Sequence, residues 1–252
     1  MSNLLNFLTK MNSTKMGNKI VSNPENLNVL HEDNHIIIIN KRSGDIVQGD
    51  KTKDTPLSDV VKNYIKKKYN KPGAVFLGVT HRLDRPTTGV VVFAKTSKAL
   101  TRMNALFFNK EINKTYWAIV KTKPNDLKGS LINWLKKNPK NNKSTAYPNQ
   151  IDKSKKAILH YKLIHSMDRY HLLEVKLETG RHHQIRSQLS FIGSPIKGDL
   201  KYGFDRSNHD GSIHLHAQKI SFTHPVSKQK ISIIAPTPND PLWSECSSKI
   251  NI

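Results

Sequence analysis

The sequence predicts an α+β domain with a mixed, largely antiparallel central sheet flanked by helices and loops. Three observations predict this class. Segments with a strand pattern clearly outnumber segments with a helix pattern, most neighbouring segments are joined by links of hairpin length, and no internal repeat is present. The 252 residues are enough for one compact domain with a substantial core.

The ordered domain is predicted to begin near Asn28. Residues 1–25 contain three lysines and no acidic residue before Glu25, so we predict a basic, flexible N-terminal arm followed by one domain over 26–252. The run at 35–40 is short, β-branched and bounded by polar residues, which predicts a buried strand that ends in a turn.

Two helices are predicted in the first half of the chain. Thr55 is placed to cap the first helix, Pro56 takes its first position, and apolar residues then recur on one face. The lysines at 66–68 suit the negative end of its dipole. The second helix is predicted over 97–109, where apolar residues again share one face.

Strand patterns account for most of the remaining chain. They are predicted at 74–79, 89–94, 114–120, 172–177, 213–222 and 231–234. A short helix is predicted over 181–192, because the Gly-Ser-Pro sequence that follows would end it. Residues 121–157 hold ten lysines and only two aspartates with scattered Pro and Gly, which predicts a basic, hairpin-like excursion; a solvated loop is the alternative.

The charge balance indicates a polyanionic partner. Lys and Arg number 41 against 19 Asp and Glu, giving a formal net charge of +22, which suits nucleic acid or an acidic membrane surface. Biased codon usage also produces a lysine- and asparagine-rich composition, so charge alone assigns no chemistry.

Cysteine content and hydropathy indicate the cellular compartment in which the protein acts. A single cysteine, Cys246, excludes an internal disulfide framework and favours a reducing compartment, so we expect a cytoplasmic protein. Apolar runs do not exceed about six residues, whereas a membrane helix needs about 20. Residues 1–10 lack the features of a secretory signal, and we expect no membrane association.

One carboxylate lies among cationic side chains in the polar loop after 74–79. The sequence His81-Arg82-Leu83-Asp84-Arg85 surrounds Asp84 with positive charge, which favours the ionised form that a nucleophile or base requires. An ordinary loop salt bridge explains the same pattern. A lone carboxylate argues against ordinary glycoside hydrolysis, which uses a pair.

Other polar and aromatic residues have both a structural and a functional interpretation. Tyr116 lies on an alternating strand, where a core aromatic is the ordinary explanation. Arg181, Gln184 and Arg186 begin a helix, where N–H groups and guanidinium forks favour phosphate or carboxylate, although each also suits surface charge.

Histidines raise the question of a metal. His214 and His216 share one strand face, and His182 and His183 are further candidates. No cysteine or carboxylate cluster accompanies them, so we predict no metal site.

Several blocks of sequence in one order resemble the RluA-type pseudouridine synthase family. The run at 78–90 resembles the signature H-R-L-D-x-x-T-S-G, and Lys114-Thr115-Tyr116 resembles the tyrosine motif. Residues 179–186 resemble T-G-R-x-H-Q-I-R, and residues 198–203 resemble G-D-x-x-Y-G. Two differences are that Thr88 replaces the usual serine and Arg42 replaces a common proline. The resemblance covers about Val29 to Pro236.

The resemblance implies a pseudouridine synthase catalytic domain over 26–252. Such enzymes isomerise specific uridines in tRNA or rRNA, flip the base out of its stack and use no cofactor. By resemblance Asp84 is the essential carboxylate, Tyr116 stacks on the flipped base and helps remove the proton at carbon 5, and Arg181 pairs with Asp84.

The resemblance also implies contacts with RNA. Arg82 would fill the space of the flipped nucleotide, and His81, Arg85, Gln184 and Arg186 are expected to contact RNA as well. We expect no small-molecule cofactor and a monomer.

The RNA substrate is left open at this stage. Many relatives carry an N-terminal S4 RNA-binding domain of about 60 residues, but only 25 or so residues precede the first predicted strand, so we expect a stand-alone catalytic domain. The pair Arg85-Pro86 resembles the tRNA pseudouridine synthase C branch. The alternatives are a catalytically silent RNA-binding protein on the same fold and, more weakly, a nonspecific basic protein.

Overall fold

A computed structural model describes residues 21–250, which form one eleven-stranded sheet and four helices. The strands are β1 (Val29–Glu32), β2 (Ile36–Lys41), β3 (Gly78–Val79), β4 (Thr88–Ala94), β5 (Asn113–Val120), β6 (Lys128–Asn138), β7 (Lys143–Tyr147), β8 (Lys155–Ser166), β9 (His171–Leu177), β10 (Leu215–Thr223) and β11 (Lys230–Ile234). The helices are α1 (Leu57–Lys68), α2 (Ser97–Phe108), α3 (Gln184–Phe191) and α4 (Pro241–Lys249).

The sheet is mixed and almost entirely antiparallel. Its main path runs β1-β2-β4-β10-β5-β9-β8-β6-β7, while β11 pairs with β10 and β3 pairs with β4. Among the described strand pairs only β4 and β10 run parallel. The predicted α+β class is therefore confirmed.

Helices cover both faces of the sheet, which explains the continuous apolar run in β2. All four isoleucines at 36–39 are fully buried, because alternate side chains enter two different cores. Helices α1 and α3 pack on one face and α2 on the other. Burying each such side chain stabilises the fold by about 1.5–3 kcal/mol.

The start of α1 differs from the prediction. Thr55 does not cap the helix, which begins at Leu57 after Pro56. The N–H groups of Leu57 and Ser58 instead donate to the carbonyl oxygens of a preceding loop, at 2.7 and 3.2 Å. Backbone carbonyl groups therefore accept the hydrogen bonds that a capping side chain was expected to accept.

The basic excursion at 121–157 is a true part of the sheet. It contains β6 and β7, which form an antiparallel hairpin, and β6 also pairs with β8 over eight residues. The prediction of a hairpin was correct, and the solvated-loop alternative is wrong. In contrast, only Gly78–Val79 of the predicted strand at 74–79 forms strand pairs. Strands β1 and β8 and helix α4 were not predicted.

The predicted arm lies mostly outside the described residues. Of its residues 1–25, only 21–25 are described, and there Ser22 is buried and donates through both N–H and hydroxyl to the Asp45 carboxylate. Within residues 21–250, none of the helices has the length and apolar character needed to span a bilayer.

Candidate active site

The loop at 80–87 carries Asp84 at the end of the sheet where β4 and β10 begin. The Lys41 ammonium, almost completely buried at the end of β2, donates to the carbonyl oxygens of Arg85 and Thr87, at 3.0 and 2.7 Å. The loop is therefore held through its backbone, and the Asp84 side chain remains available. That side chain is 27% exposed.

The parallel pairing of β4 with β10 depends on Gly89. Its φ is +110°, and a Cβ there would lie 2.3 Å from the carbonyl oxygen of Ala217. Beside it, the Thr88 hydroxyl donates to His216 Nδ1 at 2.8 Å, while His216 Nε2 donates to the Ala235 carbonyl at 3.1 Å. Burial lowers the pKa of His216 to about 4, so the ring is neutral.

Arg186 of α3 joins Asp84 to a second, buried carboxylate. Its Nε and Nη2 donate to the two carboxylate oxygens of Asp199, at 2.7 and 2.9 Å, and its Nη1 donates to Asp84 Oδ2 at 3.1 Å. Burial opposes the charge on Arg186, but the hydrogen bonds and charges of Asp199 and Asp84 raise its pKa above the ordinary value. Arg186 is therefore a fixed cation that orients Asp84.

The prediction that Arg181 pairs with Asp84 is wrong. Arg181 is exposed, and its Nε donates to the Lys156 carbonyl oxygen at 3.0 Å. The reason is position: Arg181 lies in the turn before α3, whereas Arg186 lies within the helix on its buried side. The guanidinium group that holds Asp84 thus lies five residues further along the motif.

Gln184 and Arg186 are both buried and bonded within the protein, and their contact with RNA stays a prediction. Gln184 is 3% exposed, accepts hydrogen bonds from the Thr179 hydroxyl and the Arg181 N–H, and donates to the Ile158 carbonyl. Arg186 is 5% exposed and donates three hydrogen bonds to two carboxylates. Both residues support the site from the protein interior.

Tyr116 lies on β5 in the core face that α1 and α3 cover, and it is 8% exposed. Burial raises the pKa of its phenol, and the charge of Asp84 raises it further. The structure thus places the phenol within electrostatic reach of the carboxylate. It also keeps that phenol protonated, so Tyr116 is both a core aromatic and a neighbour of Asp84.

Two residues outside the predicted active site complete the surroundings of Asp84. His183 Nε2 lies 3.6 Å from Asp84 Oδ2, and His183 Nδ1 lies 2.9 Å from the Tyr202 hydroxyl. Burial, and then the charge of Arg186, lowers the pKa of His183 to about 2. Both residues belong to motifs noted in the sequence, and these motifs were the signal by which sequence reasoning could have found them. Their contact with each other depends on the fold.

The remaining candidates in the loop have separate environments. Arg82 is exposed and has no hydrogen bond or ion pair within the described residues. The Arg85 guanidinium binds the acidic loop at 50–54, with Nη1 2.5 Å from Asp54 Oδ2. His81 Nε2 accepts the Val92 N–H at 3.0 Å, and burial, then the charge of a nearby lysine, lowers its pKa to about 3.

The histidines considered for a metal have other partners. His214 contacts Asn208 through Nδ1 and Asp240 through Nε2, at 2.9 and 3.1 Å. Across residues 21–250, His, Cys, Asp and Glu side chains form no group of three or more that could hold a metal ion.

Comparison with known proteins connects this geometry to a reaction. The family model described as RNA pseudouridylate synthase matches residues 35–191, which include the Asp84 loop and the Arg186 helix. The chain belongs to this family. Its members are RNA pseudouridine synthases, which are isomerases, so the enzyme class and the family that the sequence motifs resemble are confirmed.

Relatives and solved structures agree with the assignment. The pseudouridine synthase is 32% identical over 224 residues to "Ribosomal large subunit pseudouridine synthase D" of Zymomonas mobilis, covering 85% of this chain and 70% of the relative. It is 32% identical over 215 residues to "Ribosomal large subunit pseudouridine synthase C" of Vibrio cholerae, covering 82% of this chain and 65% of the relative. The match thus spans about two thirds of each relative.

The fold of this pseudouridine synthase has solved counterparts. "Human RNA Pseudouridylate Synthase Domain Containing 4" superimposes with a TM-score of 0.71 at 24% identity, covering 89% of this chain and 93% of the other. "Human RNA Pseudouridylate Synthase Domain Containing 1" gives a TM-score of 0.69 at 20% identity, covering 90% of each chain. These likenesses establish the fold.

Proposed function

We propose that the protein isomerises a uridine of ribosomal RNA to pseudouridine, with Asp84 as the essential carboxylate and no cofactor. The observation that carries this proposal is a single, partly exposed carboxylate held by Arg186 beside a buried phenol. Ribosomal RNA is favoured over tRNA because the relatives from Zymomonas and Vibrio bear ribosomal large subunit names.

The reaction needs no external reagent. The bond from the sugar C1′ to the base N1 breaks, a bond from C1′ to C5 forms, the proton on C5 leaves and N1 gains a proton. Substrate and product are isomers, so one carboxylate that acts at the sugar or the base and is then regenerated is sufficient. Asp84, oriented by Arg186, supplies that group.

Tyr116 holds the base while it is detached from the sugar. A stacked, enclosed base stays in the site and is recaptured at a different atom. Because the pKa of the phenol is raised by burial and by Asp84, Tyr116 acts through stacking and as a hydrogen-bond donor. The expectation that it helps to remove the proton at carbon 5 stays a prediction.

Cationic side chains around the site suit an RNA backbone. Arg82 and Arg181 are both exposed, and the Lys114 ammonium lies 3.7 Å from where a Cβ of Gly180 would be. Extruding a uridine costs a few kcal/mol, which phosphate contacts offset. In this proposal Arg82 occupies the space left by the uridine, and Arg181 binds phosphate instead of Asp84.

The lysine-rich hairpin of β6 and β7 extends this cationic surface. Four of its lysines, at 136, 137, 140 and 143, lie at or near its tip. In addition, the hairpin contacts the site directly, since the Ser144 hydroxyl is 2.9 Å from His182 Nδ1. We propose that it grips the RNA next to the uridine.

Because one chain supplies all of these groups, the protein acts as a monomer, and its single cysteine suits the cytoplasm.

Release of tritium tests the proposal. RNA labelled with tritium at carbon 5 of uridine loses label to water only when the isomerisation occurs, so an enzyme releases label and a catalytically silent RNA-binding protein does not. Mapping pseudouridines in total RNA from cells with and without the protein then names the substrate. A site lost from large-subunit rRNA is the expected result. A site lost only from tRNA would overturn the choice of RNA, and absence of any release would overturn the function.

A further inference from the structure

We propose that His183 and Tyr202 form a positioning pair, in which the Tyr202 hydroxyl fixes the tautomer of His183 so that its Nε2–H is directed at Asp84. This inference rests on the proposed function of Asp84. It assigns to two motif residues a role in the reaction that family membership alone does not supply.

The donor and acceptor roles of Tyr202 and His183 depend on the His183 tautomer, and the surrounding hydrogen bonds favour one arrangement. The Tyr202 oxygen accepts the backbone N–H of Ser144 on β7 at 2.9 Å, so its own hydrogen is free to donate. The next polar atom is His183 Nδ1, also at 2.9 Å. A neutral ring that accepts at Nδ1 carries its hydrogen on Nε2, which faces Asp84 Oδ2 at 3.6 Å.

The surroundings keep His183 neutral and in place. The Arg186 guanidinium packs over the Tyr202 ring at 5.0 Å, and this adjacent cation disfavours a second positive charge on the imidazole. The His182 ring stacks on the His183 ring with centroids 3.8 Å apart. Two different nitrogen donors, one charged and one neutral, thereby face the same oxygen of Asp84.

The backbone at His183 is strained, which supports a functional role. Its φ is +53° in the residue just before α3, a left-handed conformation that glycine adopts more easily than other residues. The side chain is only 7% exposed, so the conformation does not serve to place the ring in solvent. The backbone directs the imidazole toward the carboxylate, and an approach closer by less than an ångström would bring Nε2 within hydrogen-bond distance of Asp84 Oδ2.

The pair also ties the RNA-gripping hairpin to the reacting group. Ser144 belongs to β7, and its N–H fixes the Tyr202 hydroxyl, which in turn fixes His183. Correct seating of the hairpin is therefore a condition for orienting Asp84.

The test uses two variants and two matched controls. His183→Gly keeps the left-handed backbone without strain and leaves space for free imidazole, while Tyr202→Phe removes only the hydroxyl. The controls are His209→Gly, at an exposed turn, and Tyr170→Phe, whose hydroxyl makes no hydrogen bond within the described residues. All are assayed by single-turnover tritium release from a large-subunit rRNA transcript, with RNA affinity and melting temperature measured in parallel.

We expect His183→Gly to slow the single-turnover rate by about 10- to 100-fold and Tyr202→Phe by about 3- to 10-fold, with RNA affinity within about threefold of wild type. Added imidazole restores part of the rate of His183→Gly, which a purely structural role would not allow. The controls keep the wild-type rate.

Wild-type rates in both variants, or losses that only follow the folded fraction and resist imidazole, would overturn this inference. If His183→Gly does not fold, Tyr202→Phe decides alone: a reduced rate at unchanged affinity supports the pair, and a wild-type rate refutes it. A wild-type protein that releases no tritium refutes the proposed function instead, so the two failures are distinguishable.

Discussion

Replacing Arg186 by lysine keeps the positive charge but removes the fork that joins two carboxylates. The guanidinium makes three hydrogen bonds, two to the buried Asp199 and one to Asp84. A lysine ammonium is a single point on a flexible stem and cannot hold both carboxylates in this geometry. The variant therefore separates the presence of a cation from its function as a bridge.

The contacts set the expected size of the effect. Asp199 is 1% exposed, so leaving its charge unpaired would cost more free energy than leaving that of Asp84 unpaired. The ammonium of the variant therefore stays with Asp199, and Asp84 loses its donor. One hydrogen bond to a charged group is worth about 1.5–3 kcal/mol. If that energy serves to aim Asp84, the single-turnover rate falls about 10- to 150-fold. Because Arg186 is buried, RNA affinity changes by less than about threefold.

The assay compares three arginine-to-lysine variants by single-turnover tritium release and by RNA binding. Arg186→Lys loses rate, whereas Arg181→Lys loses mainly affinity, by about two- to fivefold, because Arg181 is exposed beside the site. Arg169→Lys, in the exposed turn between β8 and β9, serves as the control. If Arg181→Lys abolished the chemical step while Arg186→Lys retained it, the assignment of the Asp84 partner would be refuted.

Three further predictions follow from the same geometry. Gly89→Ala forces a Cβ into the Ala217 carbonyl, so we expect it to lower the melting temperature sharply or prevent folding; a wild-type melting curve would contradict the close approach of β4 and β10. The unfolded chain binds a proton at His216 below about pH 6.5, but the folded protein does so only near pH 4. The free energy of unfolding should therefore fall by up to about 3 kcal/mol as the pH decreases from about 6.5 to about 4. Denaturant titrations should show a smaller loss of unfolding free energy over this pH range in His216→Gln. An equal loss in wild type and variant would refute the assignment. Finally, Tyr116→Phe should keep the rate within about tenfold while Tyr116→Ala loses at least about hundredfold, because stacking needs the ring and not a phenolate; equal losses in single-turnover assays would restore a proton-transfer role.

Local patterns in the sequence were sufficient for much of the fold. The isoleucines of β2 and the amphipathic face of α1 are properties of short windows, and the structure has both elements within a residue or two of the prediction. The strand at 74–79 was overestimated, because an apolar run does not reveal whether a neighbouring strand is available for pairing; only two of its residues have one.

The site was predictable in part. Asp84 was singled out as a carboxylate among cations, a feature of consecutive residues, and only the resemblance to the RluA-type family implied its role as the essential carboxylate. Which arginine reaches it was not predictable, since Arg181 and Arg186 lie in one motif and only the packing of α3 turns Arg186 inward. Its orientation further depends on Asp199, and the pairing of His183 with Tyr202 arises from a similar meeting of separate motifs.

The most direct measurement compares wild type with Asp84→Asn, which has nearly the same shape but no negative charge. Both proteins are mixed with rRNA transcript labelled with tritium at carbon 5 of uridine, and bound RNA and released tritium are measured on the same samples. We predict that the variant binds RNA as tightly as wild type and releases no tritium above background. Sustained release by Asp84→Asn would contradict the role of Asp84 as the reacting carboxylate.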